Sequence, residues 1–402
     1  MRILHTADWH IGHRLYERNR VGEHEQFLDW LIETIKEQEI DVLLVSGDVF
    51  DTALPASDVT DLYYRFLFRL YDETETQAVI TAGNHDSPRR LAAPREFLKM
   101  GHIHVVGSVD SDLDECVITL EVGTDYLSVA AIPYLAENEI LTHVSFEVEI
   151  EKAARYREAI SQLYHQCVAQ MPADSLKVLM GHLVVQGGTE SGSERQVLIG
   201  GALPVRASDL PEGVDYVALG HLHRSQAIRG AAYPIRYSGS PLPMTFQEAT
   251  YRKKVCILDS ARSGDERFIE LTVPSFKELW RVSGDFNQVM KEAMEGDWDG
   301  KYIEVQLTLN TPQLGVGDKI REAFNERGGD VLLVEVQLAE QEREKAFTAT
   351  DIAAKSPAEL FEEFYRETHS TEDTDEAELA ELMETFTVLE QIVSTQTEEE
   401  TS

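Results

Sequence analysis

Lysine and cysteine are both scarce in this chain, and no apolar run is long. Only 12 of the 36 basic residues are lysine. The three cysteines (Cys116, Cys167, Cys256) stand far apart, with no C-x-x-C pair. That excludes a disulfide framework or a zinc ribbon and fits a reducing compartment. No stretch approaches the twenty or so apolar residues of a membrane span, and no short apolar segment behind a basic flank opens the chain. We therefore expect neither export nor membrane insertion, and a cytoplasmic location.

Positive charge is the other deficit. Acidic residues outnumber basic ones 72 to 36, for a net charge of −36. Such a surface repels polyanions at long range and, taken alone, speaks against nucleic-acid binding. It is also what adaptation to high salt inside a cell looks like, where repulsion is screened over a few ångströms. We take the second reading, because a surface average does not decide what a local metal site does.

What is present is an ordinary globular composition, 43% hydrophobic over 402 residues, enough for two or three domains. The first part alternates strands and helices: strand 2–7, helix 23–37, strand 41–46, helix 57–71, strand 77–82, and a helix near 91–99. Such alternation predicts an α/β layered domain. Short strands follow at Ile103–Val106, Val117–Leu120 and Leu127–Ile132, then a helix over 148–170. Strands resume at 177–182, 214–219, 234–238, 253–258 and 267–272. The expected result is two sheets sandwiched between helices, spanning 1–273. After Pro274 the pattern strand, helix, strand (Tyr302–Leu309), helix (Asp318–Arg327), strand (Val331–Gln337) predicts a small α/β capping module over 274–340. From 341 to 402 there is no strand signal. Ser356-Pro357-Ala358-Glu359 is a helix start. A second helix around 375–394 carries Leu379, Leu382, Met383, Phe386, Leu389 and Val393 at three-to-four spacing. Residues 356–402 hold 15 acidic residues and one arginine. This acidic helical tail is either docked on the body or presented to a partner.

Five apolar runs end in metal-ligand residues. Ile3–Ala7 leads to Asp8 and His10, Val42–Ser46 to Asp48, and Ala78–Ala82 to Asn84. Val178–Met180 leads to His182, and Tyr216–Leu219 to His221 and His223. Asp8 and His10 are two apart and can reach one ion from extended backbone; His221 and His223 share that spacing. Asp48 can bridge two ions with its two oxygens. Two carboxylates, one amide and four imidazoles exceed what one ion needs. The nitrogen and oxygen mixture suits Mn²⁺, Fe²⁺ or Zn²⁺ better than Mg²⁺. Two ions about 3.5–4 Å apart would share Asp48.

These stretches resemble the five motifs of the calcineurin-like metallophosphoesterases: Asp8-x-His10, Gly47-Asp48-x-x-Asp51, Gly83-Asn84-His85-Asp86, Gly181-His182 and Gly220-His221-x-His223. More narrowly, the chain is similar to the nuclease subunits of the bacterial SbcCD complexes. The similarity rests on His5-Thr6-Ala7-Asp8-Trp9-His10-Ile11-Gly12, on Glu23-His24 ahead of Phe27-Leu28-Asp29-Trp30-Leu31, and on Gly47-Asp48-Val49-Phe50-Asp51-Thr52. Tyr237-Ser238-Gly239-Ser240-Pro241-x-Pro243 with Phe246 and Glu248 extends it. The resemblance implies one ion on Asp8, His10, Asp48 and His223, and another on Asp48, Asn84, His182 and His221. It further implies Mn²⁺-dependent cleavage of DNA phosphodiesters, as a 3′–5′ double-strand exonuclease and a single-strand or hairpin endonuclease. Its implied partners are an SbcC-like coiled-coil ATPase, docked through the tail, and a second nuclease subunit, in DNA recombination, replication and repair.

His85 follows Asn84 and has no metal role in the motif. It is the candidate general acid for the leaving 3′-oxygen, or the residue that orients the phosphate. Asp86 is either the group that holds the His85 tautomer or a turn cap. Archaeal and eukaryotic relatives look like having a histidine in the loop after Gly-Asp-x-Phe. Asp51-Thr52 stands there instead, so a second catalytic histidine is not expected. His13 reads as a spare surface residue. The remaining histidines (5, 24, 102, 104, 143, 165 and 369) read as structural or exposed. Candidate phosphate contacts are Arg14, Arg18, Arg20, Arg89, Arg90 and Arg224, against the plainer reading of surface arginines. Two other functions compete: a phosphodiesterase or phosphatase on small molecules, and a scaffold subunit active only with its partner.

Overall fold

The computed structural model describes residues 1–109, 113–141, 151–195 and 203–338, with scattered positions between 356 and 386. In chain order the strands begin with β1 (Arg2–Thr6), β2 (Arg14–Leu15), β3 (Arg18–Asn19), β4 (Val42–Ser46), β5 (Gln77–Thr81) and β6 (Ile103–Val106). They continue with β7 (Val117–Val122), β8 (Asp125–Ala131), β9 (Leu176–His182), β10 (Tyr216–Gly220), β11 (Gln226–Ile228) and β12 (Ile235–Tyr237). The last are β13 (Lys254–Asp259), β14 (Phe268–Thr272), β15 (Leu279–Gly284), β16 (Tyr302–Leu309) and β17 (Asp330–Leu338).

One sheet has the order β14-β13-β1-β4-β5-β6, the other β11-β12-β10-β9-β8-β7. In the first, β1, β4, β5 and β6 run parallel, and β13 and β14 close one edge antiparallel. In the second, β12, β10, β9 and β8 are parallel between antiparallel edges. Parallel strands need both faces covered, and β4 is buried at all five positions. Val42 and Leu44 of that strand pack toward the second sheet, with Ile3, Val79, Val129 and Val178. Leu43 and Val45 pack the other way, with Leu4, Ile80 and two helices. Those helices are α1 (Val21–Glu37) and α2 (Ser57–Glu73). Helix α2 buries Val59, Leu62, Tyr63, Phe66, Leu67 and Leu70, the three-to-four spacing of one helical face.

The helix expected near 91–99 is instead two short ones, α3 (Pro88–Leu91) and α4 (Arg95–Lys99). Pro94 lies between them; it has no N–H to continue the ladder and disfavours helix in the residue before it. After α5 (Glu137–Ile140), helix α6 (Lys152–Gln170) covers the second sheet with Tyr156, Ile160, Leu163 and Tyr164. The first residues of that expected helix, 148–150, lie outside the described residues. The small strand β11, which forms one edge, has no counterpart among the expected strands.

The later segment follows the expected element order: β15, α7 (Phe286–Glu295), β16, α8 (Val316–Asn325), β17. Its strands form a three-stranded sheet with β16 in the middle. The backbone divides into two compact units: Met1–Val282 with Ala293–Val305 and Arg321–Val334, and a second made of 283–292, 306–320 and the described residues from 335 on. In the second unit Ser356 caps a helix as expected: its Oγ accepts from Glu359 N–H (3.3 Å), and its own N–H donates to Glu359 Oε2 (2.7 Å). Phe361 stacks on Phe386 with centroids 4.7 Å apart. Of the expected second tail helix, Leu379, Leu382, Met383 and Phe386 are helical; Leu389 and Val393 lie outside the described residues. Among the described residues no helix is long and apolar enough to cross a membrane.

Candidate metal centre

The seven ligand candidates meet at the carboxyl ends of β1, β4, β5, β9 and β10, where parallel strands present their following loops together. The loops are tied to one another through the backbone. Asp8 N–H donates to the Gly47 carbonyl (3.1 Å), and His10 N–H to that of Asp48 (3.0 Å). Asp8, His10, Asp48 and His221 all have positive φ, at 52°, 45°, 48° and 96°. Non-glycine residues rarely adopt this conformation, and it gathers at functional sites whose surroundings enforce it. The glycines ahead of the ligands answer to close approach. A Cβ on Gly83 would lie 2.1 Å from Asp48 Oδ1, and one on Gly220 would lie 1.8 Å from the Ser46 carbonyl oxygen.

The side chains converge in two sets around one carboxylate. His10 Nε2 and His223 Nε2 face each other at 3.2 Å, both buried. On the other side the Asn84 amide oxygen lies 2.9 Å from His182 Nε2 and 3.3 Å from His221 Nδ1. Asp48 Oδ2 stands between the sets, 3.5 Å from His10 Nε2 and 3.3 Å from His182 Nε2. Asp8 and Asp48 are buried, and Asp8 Oδ2 has no hydrogen-bond partner. A buried carboxylate oxygen without a partner is expensive unless a cation meets it. Asp8, His10 and His223 offer ligand atoms all close enough for one ion, and so do Asp8, Asp48 and His182. The donor chemistry and this orphaned oxygen therefore fit a dinuclear metal site.

Electrostatics agree. Burial alone would lower His182, yet Asp48 and Asp8 reverse that and raise it to about 9. Burial, with His182 beside it, takes His221 down to about 3. Asp48 is buried as well, but His182 and His10 hold its carboxyl far below the ordinary range. This is the signature of carboxylates and imidazoles crowded where a cation belongs.

Residues given no role at the site by the sequence stand behind these ligand candidates. Asp51 Oδ1 lies 3.3 Å from His10 Nδ1, the nitrogen facing away from His223. His223 Nδ1 meets Ser193 Oγ at 2.6 Å, and the Ser193 hydroxyl also bonds to Glu248. Glu248 is buried and accepts from Lys253 Nζ at 2.5 Å, and Lys253 Nζ donates further to the His223 carbonyl (3.1 Å). Glu194 Oε1 accepts from His223 N–H at 3.0 Å. Groups that fix the outer nitrogen of a ligating histidine set its tautomer and basicity. The visible signal was Glu248, already part of the extended similarity; Ser193, Glu194 and Lys253 carry no local signature.

His85 lies at this cluster, its ring edge-on to His10 with centroids 4.6 Å apart. Its Nδ1 faces the Asp51 carbonyl at 2.8 Å. The Asp86 carboxylate does not meet the His85 ring. It accepts the backbone N–H groups of Gly83 (2.8 Å), Val49 (3.0 Å) and Phe50 (2.9 Å). Of the two roles expected for Asp86, the contacts are those of the turn cap and not of the tautomer holder; the Asp51 backbone carbonyl stands at His85 Nδ1 instead. Burial and Asp48 raise the Asp86 carboxyl to about 7.

Two other expectations change. Arg20 is buried, with Nε and Nη2 on the Glu23 carboxylate (3.0 and 2.7 Å) and Nη1 on the Pro243 carbonyl (2.6 Å), so it has nothing left for a phosphate. His13 is half-buried rather than on the surface, and burial lowers it to about 4. Arg14, Arg89, Arg90 and Arg224 are exposed or half-exposed. Arg14 bonds to the Glu17 carbonyl, and Arg224 stands over the Tyr251 ring at 5.3 Å. Arg18 pairs with Asp330 at 2.8 Å.

Fold and site together define a metal-dependent phosphoester hydrolase, and residues 1–225 match the calcineurin-like phosphoesterase family model. Residues 275–369 match the type 5 capsule protein repressor C-terminal domain. The chain is 33% identical to the SbcD subunit of nuclease SbcCD from Bacillus subtilis strain 168, over 94% of this chain and all of that one. It is 30% identical to the SbcD subunit of the same nuclease from Escherichia coli K12, over 96% of this chain and 97% of that one. The same-named protein of Rhodobacter capsulatus is 38% identical over 68% of this chain and 70% of its own. The chain belongs to this family, the SbcD subunits of the SbcCD nucleases.

Proposed function

We propose that this protein hydrolyses DNA phosphodiesters with two Mn²⁺ ions, cutting double-stranded ends in the 3′–5′ direction and single strands or hairpins internally. The observation that carries the reading is Asp48 Oδ2 standing between two separate ligand sets. Asp8, His10, Asp48 and His223 would hold one ion; Asp48, Asn84, His182 and His221 would hold the other. Bound divalent ions supply an activated water at neutral pH and offset charge that develops on the phosphate. Asp51 stands 3.3 Å from the outer nitrogen of His10, and Ser193 with Glu248 fixes the His223 ring. With His85 Nδ1–H donating to the Asp51 carbonyl, Nε2 is the nitrogen left for the phosphate or the leaving oxygen. Arg14, Arg18, Arg89, Arg90 and Arg224 contact phosphates around the site.

In this reading residues 1–273 form the nuclease domain, 274–340 a capping module that helps hold DNA, and 341–402 a docking tail. The partner is an SbcC-like coiled-coil ATPase, in the cytoplasm. Two copies of this chain pair through the apolar surface of α2 and α4, where Phe68, Tyr71, Phe97 and Met100 are all more than half exposed around a groove of about 550 Å³. The test is a Mn²⁺-supplemented assay on end-labelled linear duplex and hairpin DNA, with Asp48→Ala as control. Shortened and nicked products absent from the variant support the reading. Turnover of a chromogenic phosphodiester with both DNAs intact would instead select a small-molecule phosphodiesterase, the function that the acidic surface favours.

A further inference from the structure

A second cavity, of about 520 Å³, lies away from the metal ligands, lined by parts of 241–253 and 272–280 together with Arg20 and Glu23. That volume is in the range that holds a small organic ligand. Its lining runs against the charge of the chain. Four basic residues (Arg20, Arg252, Lys253, Lys277) face two acidic ones (Glu23, Glu278) in a protein with twice as many acids as bases. Arg20 is spent on Glu23, and Lys253 on Glu248. Arg252 is exposed, and neither it nor Lys277 pairs with a carboxylate among the described residues. Lys277 is held in place by the Tyr302 ring, with Nζ 3.9 Å from the centroid.

Aromatic groups share the cavity. Trp280 is 45% exposed, an unusual state for the largest apolar side chain. Its indole N–H donates to Glu278 Oε2 at 2.9 Å, which fixes the ring plane. Tyr251 lines the cavity and is also the ring beneath Arg224, the residue after ligand His223. The cavity is thus joined to the metal rim through Tyr251 and through Lys253, whose Nζ donates to the His223 carbonyl. Cations without a carboxylate partner beside a half-exposed aromatic ring form the combination that takes unpaired nucleotides: bases stack on the ring and phosphates meet the cations.

We propose that this cavity is a binding subsite for single-stranded nucleic acid, in which Trp280 stacks a base and Lys277 and Arg252 hold the neighbouring phosphates. The proposal rests on the DNA-cleaving reading above, and places the unpaired part of the substrate outside the metal centre. The measurement is fluorescence anisotropy of a labelled oligothymidylate with full-length protein in excess EDTA, where no cleavage proceeds. Trp280→Ala should weaken binding about tenfold, the loss of one base–aromatic stack, and Trp280→Phe should restore most of it. Removing Lys277 and Arg252 together should lower the slope of log affinity against log salt by about 1.4. Hydrolysis of a chromogenic phosphodiester in Mn²⁺ should be unchanged in all these variants. Equal oligothymidylate affinity in wild type and Trp280→Ala overturns the subsite, and so does undetectable wild-type binding while linear duplex is still degraded. A wild type that turns over only the chromogenic ester overturns both this proposal and the DNA-cleaving reading.

Discussion

Asp86→Ala separates architecture from chemistry at this site. The Asp86 carboxylate collects three backbone N–H groups, from Gly83, Val49 and Phe50, at 2.8–3.0 Å. These belong to the two loops that carry Asp48 and Asn84. Alanine leaves three donors without an acceptor where the side chain was only 6% exposed. An unsatisfied buried donor costs about 1–3 kcal/mol, and partial entry of water recovers some of it, so the sum is about 3–5 kcal/mol. At roughly 2–3 °C per kcal/mol for a domain of this size, Tm should fall by about 6–15 °C. Asp86→Asn keeps one accepting oxygen and should lose about half as much. The assay is thermal unfolding in EDTA, so that metal binding does not enter, followed by metal titration below the transition. A Tm within about 2 °C of wild type, with two ions bound and cleavage lost, would refute the anchor and return Asp86 to the chemistry.

Asp48→Ala should bind neither ion in equilibrium dialysis, and a variant that keeps one tightly contradicts the bridging position. His85→Ala should keep two ions yet lose at least about a hundredfold in cleavage rate, the scale of a general acid; parallel loss of metal and activity contradicts that role. Lys253→Met leaves the Glu248 carboxylate buried and unpaired, which should cost about 3–5 kcal/mol in urea unfolding. Adding Glu248→Gln to it should recover part of that loss, and a fully additive double variant argues against direct pairing. His5 and His24 are buried and lowered to about 3 by desolvation, with Arg236 and Arg20 adding to it respectively. Both are neutral when folded and take up protons when unfolded. Their contribution is therefore complete above about pH 6.5 and is lost as pH falls from there toward 3. His24→Gln should flatten the fall in metal-free Tm between pH 6.5 and 4; an unchanged slope removes His24 from the account.

The candidate ligands were legible as a group because each follows closely on a short apolar run, and that placement is local. The glycines beside them were legible as strand stops, though the reason, approach of one loop to another within a Cβ radius, is not. Two sheets could be inferred from the order of runs. The break at Pro94 could have been read from proline alone, and the edge strand Gln226–Ile228 is too short to leave a period. The groups behind the ligands stayed hidden for a different reason. Ser193 and Lys253 are each 30 residues from His223, on opposite sides of it and on segments with no shared pattern. Asp86 stayed open between two roles because adjacency in sequence to His85 does not fix adjacency of side chains; the turn sends its carboxylate back under the backbone.

The exposed apolar surface on α2 and α4 belongs to a chain carrying −36 charges. Two copies that meet there bring like charges together, so their association strengthens as salt rises and screens the repulsion. Every contact between an arginine and a phosphate weakens over the same range. If copies pair there as proposed, pairing and substrate capture would respond to ionic strength in opposite directions, and the product of the two would pass through a maximum. On that proposal the protein would carry its own ionic window: below it single copies would hold DNA tightly, and above it paired copies would release it.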